Sequence, residues 1–426
     1  MGTLLLILII AVLVYMIAGY VWRDTPLRGL HLRGKAERLR TGDRWVRRAF
    51  EVMCASAFQP GNRIEVLENG DALFPRLFAD VRAAQCLITW QVFWFKRGDL
   101  ANRVADALAE RAEAGVEVLL LLDYFGSLGL GDDYVNNLRD RGVRVEIYRP
   151  LHWRGLYKVP HRSHVRSVVI DGRIGYTGGF GIDDQWTGDG RTAGRWRDTH
   201  VRLEGPVVDQ LQAPFISNWA ECTGELLFGD GVMQADALPG EDVQEAAVMY
   251  GSPSLGSTTA ERFLALTISA AHDSLFVTSA YFVPPPGFRR MLKQAASRGV
   301  DVRVLTPGGN TDQRAAWYAG RAYYEELLAA GVRIYEYTPT MVHAKTIVAD
   351  GHWVTIGSVN FDNRSLKLND EVTLVAEGPA LGHAMQEMFL RDLELAEEVK
   401  LEAFRNRSKG VRAKERAAAL LAGPLL

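Results

Sequence analysis

The apolar and polar positions divide this chain of 426 residues into an opening apolar run and a long remainder in which short apolar runs alternate with amphipathic stretches. Thr3 to Trp22 holds 20 residues without a charge, dominated by Leu, Ile and Val. At ~1.5 Å per helical residue such a run matches a hydrocarbon layer ~30 Å thick. A cleaved signal has a basic opening, a shorter apolar core and a small-residue cleavage site, whereas only Met1 and Gly2 precede this run. Tyr15, Tyr20 and Trp22 suit the interfacial level. The expectation is an N-terminal transmembrane helix over residues 1–22, followed by a basic juxtamembrane segment over 23–60. From Arg23 to Arg48 there are nine Arg or Lys against three acids. That excess places the remainder on the cytoplasmic side of the membrane, against anionic headgroups.

Beyond the anchor the pattern occurs twice. Cys86–Trp94 is answered by Ser274–Phe282, both short apolar runs that read as buried strands. "LAERAEAGVEVLLLLD" (108–123) is answered by "LKQAASRGVDVRVLTP" (292–307), and "YVNNLRDRGVRVEIY" (134–148) by "YYEELLAAGVRIYEY" (323–337). Each reads as a helix, a glycine in the left-handed position after it, and a strand. The fourth pair is "HVRSVVID" (164–171) and "HAKTIVAD" (343–350), each a strand running into an Asp-Gly hairpin turn. Strands alternating with helices imply helices on the faces of a sheet. The expected fold is α/β: a duplicated α/β/α sandwich with mixed sheets, its halves at 61–227 and 258–398. The acidic, Gly-rich stretch 228–257 reads as a linker. Residues 399–426 form an amphipathic basic tail, readable as an interfacial helix or as a docked terminal helix.

Composition narrows the classes. Apolar content of 48% and charged content of 23% are those of a globular protein. A net charge of −2 gives no pull toward nucleic acid. Cys54, Cys86 and Cys222 include no CxxC pair, which argues against a disulfide framework or a zinc site.

The His blocks carry the candidate chemistry. Side chains alternate along a strand, so His164 shares a face with Arg166, and His343 with Lys345. A neutral imidazole beside a fixed cation suits attack on an anion. Fourteen residues after each His stands a small pair, Gly178-Gly179 and Gly357-Ser358, where backbone N–H groups can approach a ligand closely. Asn360 adds a side-chain donor. Asp198 and Glu371 lie further on, and either can accept from an imidazole and fix its tautomer. One such block is common by chance; two with the same spacings point to a paired site.

These motifs resemble the phospholipase D superfamily, whose signature is HxKxxxxD in two copies, and more narrowly its bacterial cardiolipin synthases. "VLENGDALFPRLFADVRAA", "VRLEGPVV" and "TPTMVHAKTIVADGHWVTIGSVNFDNRSLKLNDEV" are similar to those enzymes, as is the tail; the likeness runs from Arg63 to the C-terminus. The resemblance implies two halves facing across one active site, no metal and no other cofactor. It implies a phosphatidyltransferase of the bacterial inner membrane, single-pass with its catalytic part in the cytoplasm. The substrates would be phospholipids: phosphatidylglycerol, with phosphatidylethanolamine or CDP-diacylglycerol as further donors. Nucleic acid is not expected as a partner. Carried onto this sequence, the catalytic set is His164, His343, Arg166, Lys345, Asp171, Asp350, Asp198 and Glu371. The substrate-binding set is Gly178, Gly179, Gly357, Ser358 and Asn360. The first copy departs twice from the pattern, with Arg166 in place of Lys and Gly181 in place of Asn. A phosphodiesterase or nuclease, or a scaffold that binds phospholipid without turnover, are the alternative readings.

Overall fold

The computed structural model describes Val14 and residues 40–151, 158–240, 242–254 and 256–425. The expected transmembrane run lies outside the described residues apart from Val14. Among the described residues no helix is long and apolar enough to cross a membrane.

The strands of the first half are β1 (Gln59–Glu68), β2 (Leu87–Val92), β3 (Glu117–Asp123), β4 (Arg144–Tyr148), β5 (Ser167–Ile170), β6 (Ile174–Gly178) and β7 (Thr199–Glu204). Those of the second are β8 (Gln244–Gly251), β9 (Ser274–Ser279), β10 (Asp301–Pro307), β11 (Arg333–Tyr337), β12 (Lys345–Ala349), β13 (Trp353–Gly357) and β14 (Glu371–Glu377), with β15 (Ala396–Glu398) as an added edge. The spatial order is β15-β11-β10-β9-β12-β13-β14-β8-β1-β7-β6-β5-β2-β3-β4. Each half therefore runs in the same order outward from the middle. Its outer three strands are parallel and the rest antiparallel. Helices link the parallel strands, as a parallel crossover requires.

Local sequence accounts for these elements. Gly115, Gly142, Gly299 and Gly331 all have φ between +90° and +94°, the left-handed stop expected between helix and strand. Asp171-Gly172 and Asp350-Gly351 all have positive φ, as the two central residues of a type I′ hairpin require. β2 and β3 are buried almost throughout because helices cover both faces.

Two segment expectations are corrected. The stretch 228–257 is not a simple linker: Gln244–Gly251 is β8, which pairs with β14 on one side and β1 on the other. It joins the halves into one fifteen-stranded sheet rather than two separate ones. Its inward residues Ala246, Ala247, Val248 and Met249 are small or apolar, a signal masked by the acidic and glycine-rich flanks. The segment 23–60 is more than a basic flank. Its helix Arg44–Cys54 buries Val46, Phe50 and Cys54 in the core of the second half, with Phe50 edge-on to Trp353 at 5.8 Å.

The tail takes the docked form. Helix Lys409–Leu425 packs on helix Arg314–Arg321, with Ala418 against Val283 and Ala319. Glu415 is buried between Arg321 and Arg407, at 3.2 and 2.8 Å. Glu415, set among the tail's many bases, thus turns this face of the helix inward.

Candidate active site

Both motif histidines lie where the halves cross. The His164 N–H donates to the Asp370 carbonyl and the Asp370 N–H to the Arg162 carbonyl, both at 2.9 Å. The mirror-related set joins His343 to Arg197 at 2.6 Å and Arg197 to Met341 at 2.9 Å. Each histidine is therefore held by the segment that leads into the acidic residue of the other half.

The side chains are crossed in the same way. His164 Nδ1–H donates to Glu371, 3.0 Å from both oxygens. His343 Nδ1–H donates to Asp198 Oδ2 at 3.0 Å. With Nδ1 occupied by a carboxylate, each neutral imidazole carries its lone pair on Nε2. Arg166 Nη2 lies 2.9 Å from His164 Nε2, and Lys345 Nζ 3.0 Å from His343 Nε2. All six side chains are buried. The four basic groups converge: Lys345 and His343 both weigh on His164, and Arg166 weighs on His343.

That convergence sets the charges. Burial, then Arg166, Lys345 and His343, push the His164 imidazole well below its ordinary value. Burial and Lys345 bring His343 down to about 3. Burial lowers Lys345 to about 7. The two acids diverge. Burial alone would raise Asp198, but His200 and the hydrogen bond from His343 hold it well below the usual carboxylate range. Glu371 is driven well above that range by burial, against hydrogen bonds from Ser358 and Ser365. The two imidazole–carboxylate pairs are thus unlike: the site favours the anion at Asp198 and the neutral acid at Glu371.

Ser358 Oγ donates to Glu371 Oε2 and accepts from the Val372 N–H at 2.9 Å. It holds the carboxylate, which the sequence reading had as ligand contact. Asn360 is buried with an unpartnered Oδ1. The glycines also make room for neighbouring chain. A Cβ on Gly179 would stand 2.3 Å from Asp198 Oδ1, and one on Gly357 2.4 Å from the Val372 carbonyl. Gly178, at φ +146°, would meet the Thr199 carbonyl at 2.6 Å. These positions are small so that Asp198, just ahead of β7, and Glu371, at the start of β14, can reach the imidazoles.

Asp171 and Asp350 are corrected as catalytic residues. Seven residues along the strand from each His, roughly 20 Å at ordinary strand rise, they close the hairpins. Asp171 accepts from the Gln85, Cys86 and Leu87 amides at 2.7–3.0 Å. Asp350 accepts from the His272, Asp273 and Ser274 amides at 2.8–3.2 Å and from Thr41 Oγ1 at 2.7 Å. The motif aspartates anchor the starts of β2 and β9 and thereby the register of the motif strands.

Aromatic walls complete the site. Phe93 stands edge-on to His164 at 5.3 Å and Tyr281 edge-on to His343 at 6.2 Å. Trp186, which the sequence reading missed, stands edge-on to His343 at 5.1 Å and donates from Nε1 to Asp198 Oδ2 at 2.9 Å. Its spacing from His164 equals that of Ser365 from His343, so the repeat offered a signal. Trp186 also explains Gly181: a Cβ there would come within 3.0 Å of the indole ring. The first copy exchanges an amide for an indole that fills the same space.

Two sandwiched halves sharing one sheet, each supplying an imidazole and the carboxylate for the other's, define a duplicated phospholipase D-like protein. The family model described as "Cardiolipin synthase, PLD-like domain" matches residues 264–393, the half with the unmodified motif. The chain is 36% identical over 345 residues to cardiolipin synthase A of Pseudomonas fluorescens, covering 81% of this chain and 71% of that protein. It is 34% identical over 362 residues to a cardiolipin synthase of Geobacillus kaustophilus, covering 85% and 72%. In fold it resembles the crystal structure of phosphatidylserine synthase from Haemophilus influenzae, with a TM-score of 0.68 at 13% identity over 89% of this chain and 99% of that one. The chain belongs to the cardiolipin synthase family, the phosphatidyltransferases among phospholipase D-like proteins.

Proposed function

We propose that this chain is a membrane-anchored phosphatidyltransferase that moves a phosphatidyl group onto phosphatidylglycerol through a phosphohistidine. The observation that carries the reading is the crossed pair of imidazole–carboxylate contacts flanked by Arg166 and Lys345. His164, neutral and held at Nδ1 by Glu371, attacks phosphorus with Nε2. Arg166 and Lys345 turn to the phosphoryl oxygens and balance the charge gained in the transition state. The P–O bond to the headgroup breaks as the P–N bond forms. His343 protonates the departing alkoxide. The anionic substrate and ionised Asp198 favour the imidazolium this needs, against the burial and the Lys345 charge that hold His343 neutral. In the second step the hydroxyl of phosphatidylglycerol gives its proton to His343 and attacks phosphorus, and the P–N bond breaks. With phosphatidylglycerol as both donor and acceptor, the products are cardiolipin and glycerol. The apolar run Thr3–Trp22 would tether this chemistry to the bilayer that holds both substrates.

Incubation with phosphatidylglycerol vesicles and lipid mass spectrometry tests this: cardiolipin and free glycerol are expected in equal amounts. Added phosphatidylethanolamine or CDP-diacylglycerol distinguishes the donor. Phosphatidic acid as the sole product would replace transfer by hydrolysis.

Arg166 offers a finer test. It is buried and folds onto its own His164, Nη1 donating to the backbone carbonyl at 2.8 Å. As a phosphate clamp it acts through charge, so Arg166→Lys should keep much of the rate. Arg166→Ala and Arg166→Met should each lower kcat by about 10²- to 10³-fold. Parent-like turnover in Arg166→Met would leave Lys345 as the sole clamp.

A further inference from the structure

Tyr281 links the His343 side of the site to a carboxylate that the chemistry above does not use. Its ring stands edge-on to His343, and Lys345 Nζ lies 6.0 Å from the ring centre. Its hydroxyl donates to Asp312 Oδ2 at 2.8 Å. Beside this pair is a small cavity lined by Ala280, Phe282, Thr306, Thr311, Trp317 and Tyr324. Asp312 lies in the loop between β10 and the helix Arg314–Arg321, one residue after the lining residue Thr311. Asp312 and Lys345 each weigh on the other's charge, so the carboxylate lies within electrostatic reach of the Lys345 ammonium.

A carboxylate at this place is unsuited to a phosphate. It repels the phosphodiester, but it accepts strongly from a hydroxyl. In an in-line displacement the departing and entering alcohols both occupy the face of phosphorus opposite His164, which is the His343 side. Among the described residues of the first half the matching pair is an indole and a carboxylate, covered by a lysine. Trp94, which holds the matching sheet position ahead of the isolated bridge Phe95–Ile182, donates its Nε1–H to Asp183 at 3.1 Å and is covered by Lys96 at 4.0 Å. The open acceptor is therefore on one side of the site, the side of the exchanged alcohol.

We propose that the Tyr281–Asp312 pair is the polyol-recognising element of the alcohol subsite: Asp312 accepts from the second hydroxyl of a glycerol headgroup while the terminal hydroxyl faces His343. The assignment rests on the transfer reading above and deepens it by naming what selects the acceptor. Asp312 determines specificity and performs no proton transfer. An alcohol without the second hydroxyl leaves the acceptor unmatched and loses one charge-assisted hydrogen bond.

The test is competition between radiolabelled glycerol and radiolabelled 1-propanol as acceptors, with unlabelled phosphatidylglycerol as donor and full-length protein in vesicles, the label being counted in phosphatidylglycerol and in phosphatidylpropanol. The parent is expected to prefer glycerol. Asp312→Asn and Asp312→Ala are expected to reduce that preference by about 10-fold or more. Tyr281→Phe, which leaves Asp312 without its positioning partner, should reduce it less. An unchanged glycerol-to-propanol ratio in both Asp312 variants, whatever their absolute rates, overturns the assignment. A parent that transfers to neither alcohol overturns the transfer reading and this inference with it. Transfer by the parent with an unmoved ratio in the variants sinks this inference alone.

Discussion

Replacing either His164 or His343 by alanine is expected to lower cardiolipin formation by about 10⁴- to 10⁶-fold, because nucleophile and acid operate as one unit. The double variant should be no slower than the worse single one. Both imidazoles are buried beside the cations of both halves, so losing one leaves the other without a reaction to complete. Rates should be read from radiolabelled lipid in vesicles, with thermal unfolding as a check on folding. The two variants should differ in one respect. If His164 is the nucleophile, His343→Ala can still accumulate labelled phosphohistidine slowly from a donor with an activated leaving group, such as a p-nitrophenyl ester. His164→Ala cannot. Labelling of His164→Ala alone would exchange the two roles.

Asp198→Asn is expected to cost about 10³- to 10⁴-fold, comparable to loss of the orienting carboxylate in other imidazole-based sites. Asp198 accepts from His343 Nδ1, Trp186 Nε1 and the Thr199 N–H. An amide there can donate to Nδ1 and turn the imidazole to the wrong tautomer, and it removes the charge that stabilises imidazolium. Glu371→Gln should cost less, since burial already drives Glu371 toward the neutral form that glutamine imitates. The partners cross between halves, so double-mutant cycles should find strong coupling for Asp198 with His343 and for Glu371 with His164. Coupling of Asp198 with His164 alone would contradict the crossed arrangement.

Much of this was legible in the chain because it depends on local rules. The helix–glycine–strand units are specified by periodicity and by four glycines that take left-handed φ. The hairpins are specified by Asp-Gly pairs. The two His blocks were legible because duplication preserves spacing. The docked face of the tail was not, since it depends on Glu415 meeting Arg321 from a distant helix.

The sequence by itself determined which residue types could act and that they come in two matched sets. Only the tertiary structure decided the pairing. Asp198 lies closer in sequence to His164, and Glu371 to His343, yet each serves the other half's imidazole. The reason is topological. β8 and β1 join the two sheets at the centre, and the segments before Asp198 and Glu371 cross that seam as isolated bridges, Arg197 with Val342 and Asp370 with Ser163. The tertiary structure likewise assigned Asp171 and Asp350 to the turns. Chain spacing cannot distinguish a carboxylate facing phosphate from one capping three backbone amides at the far end of the same strand.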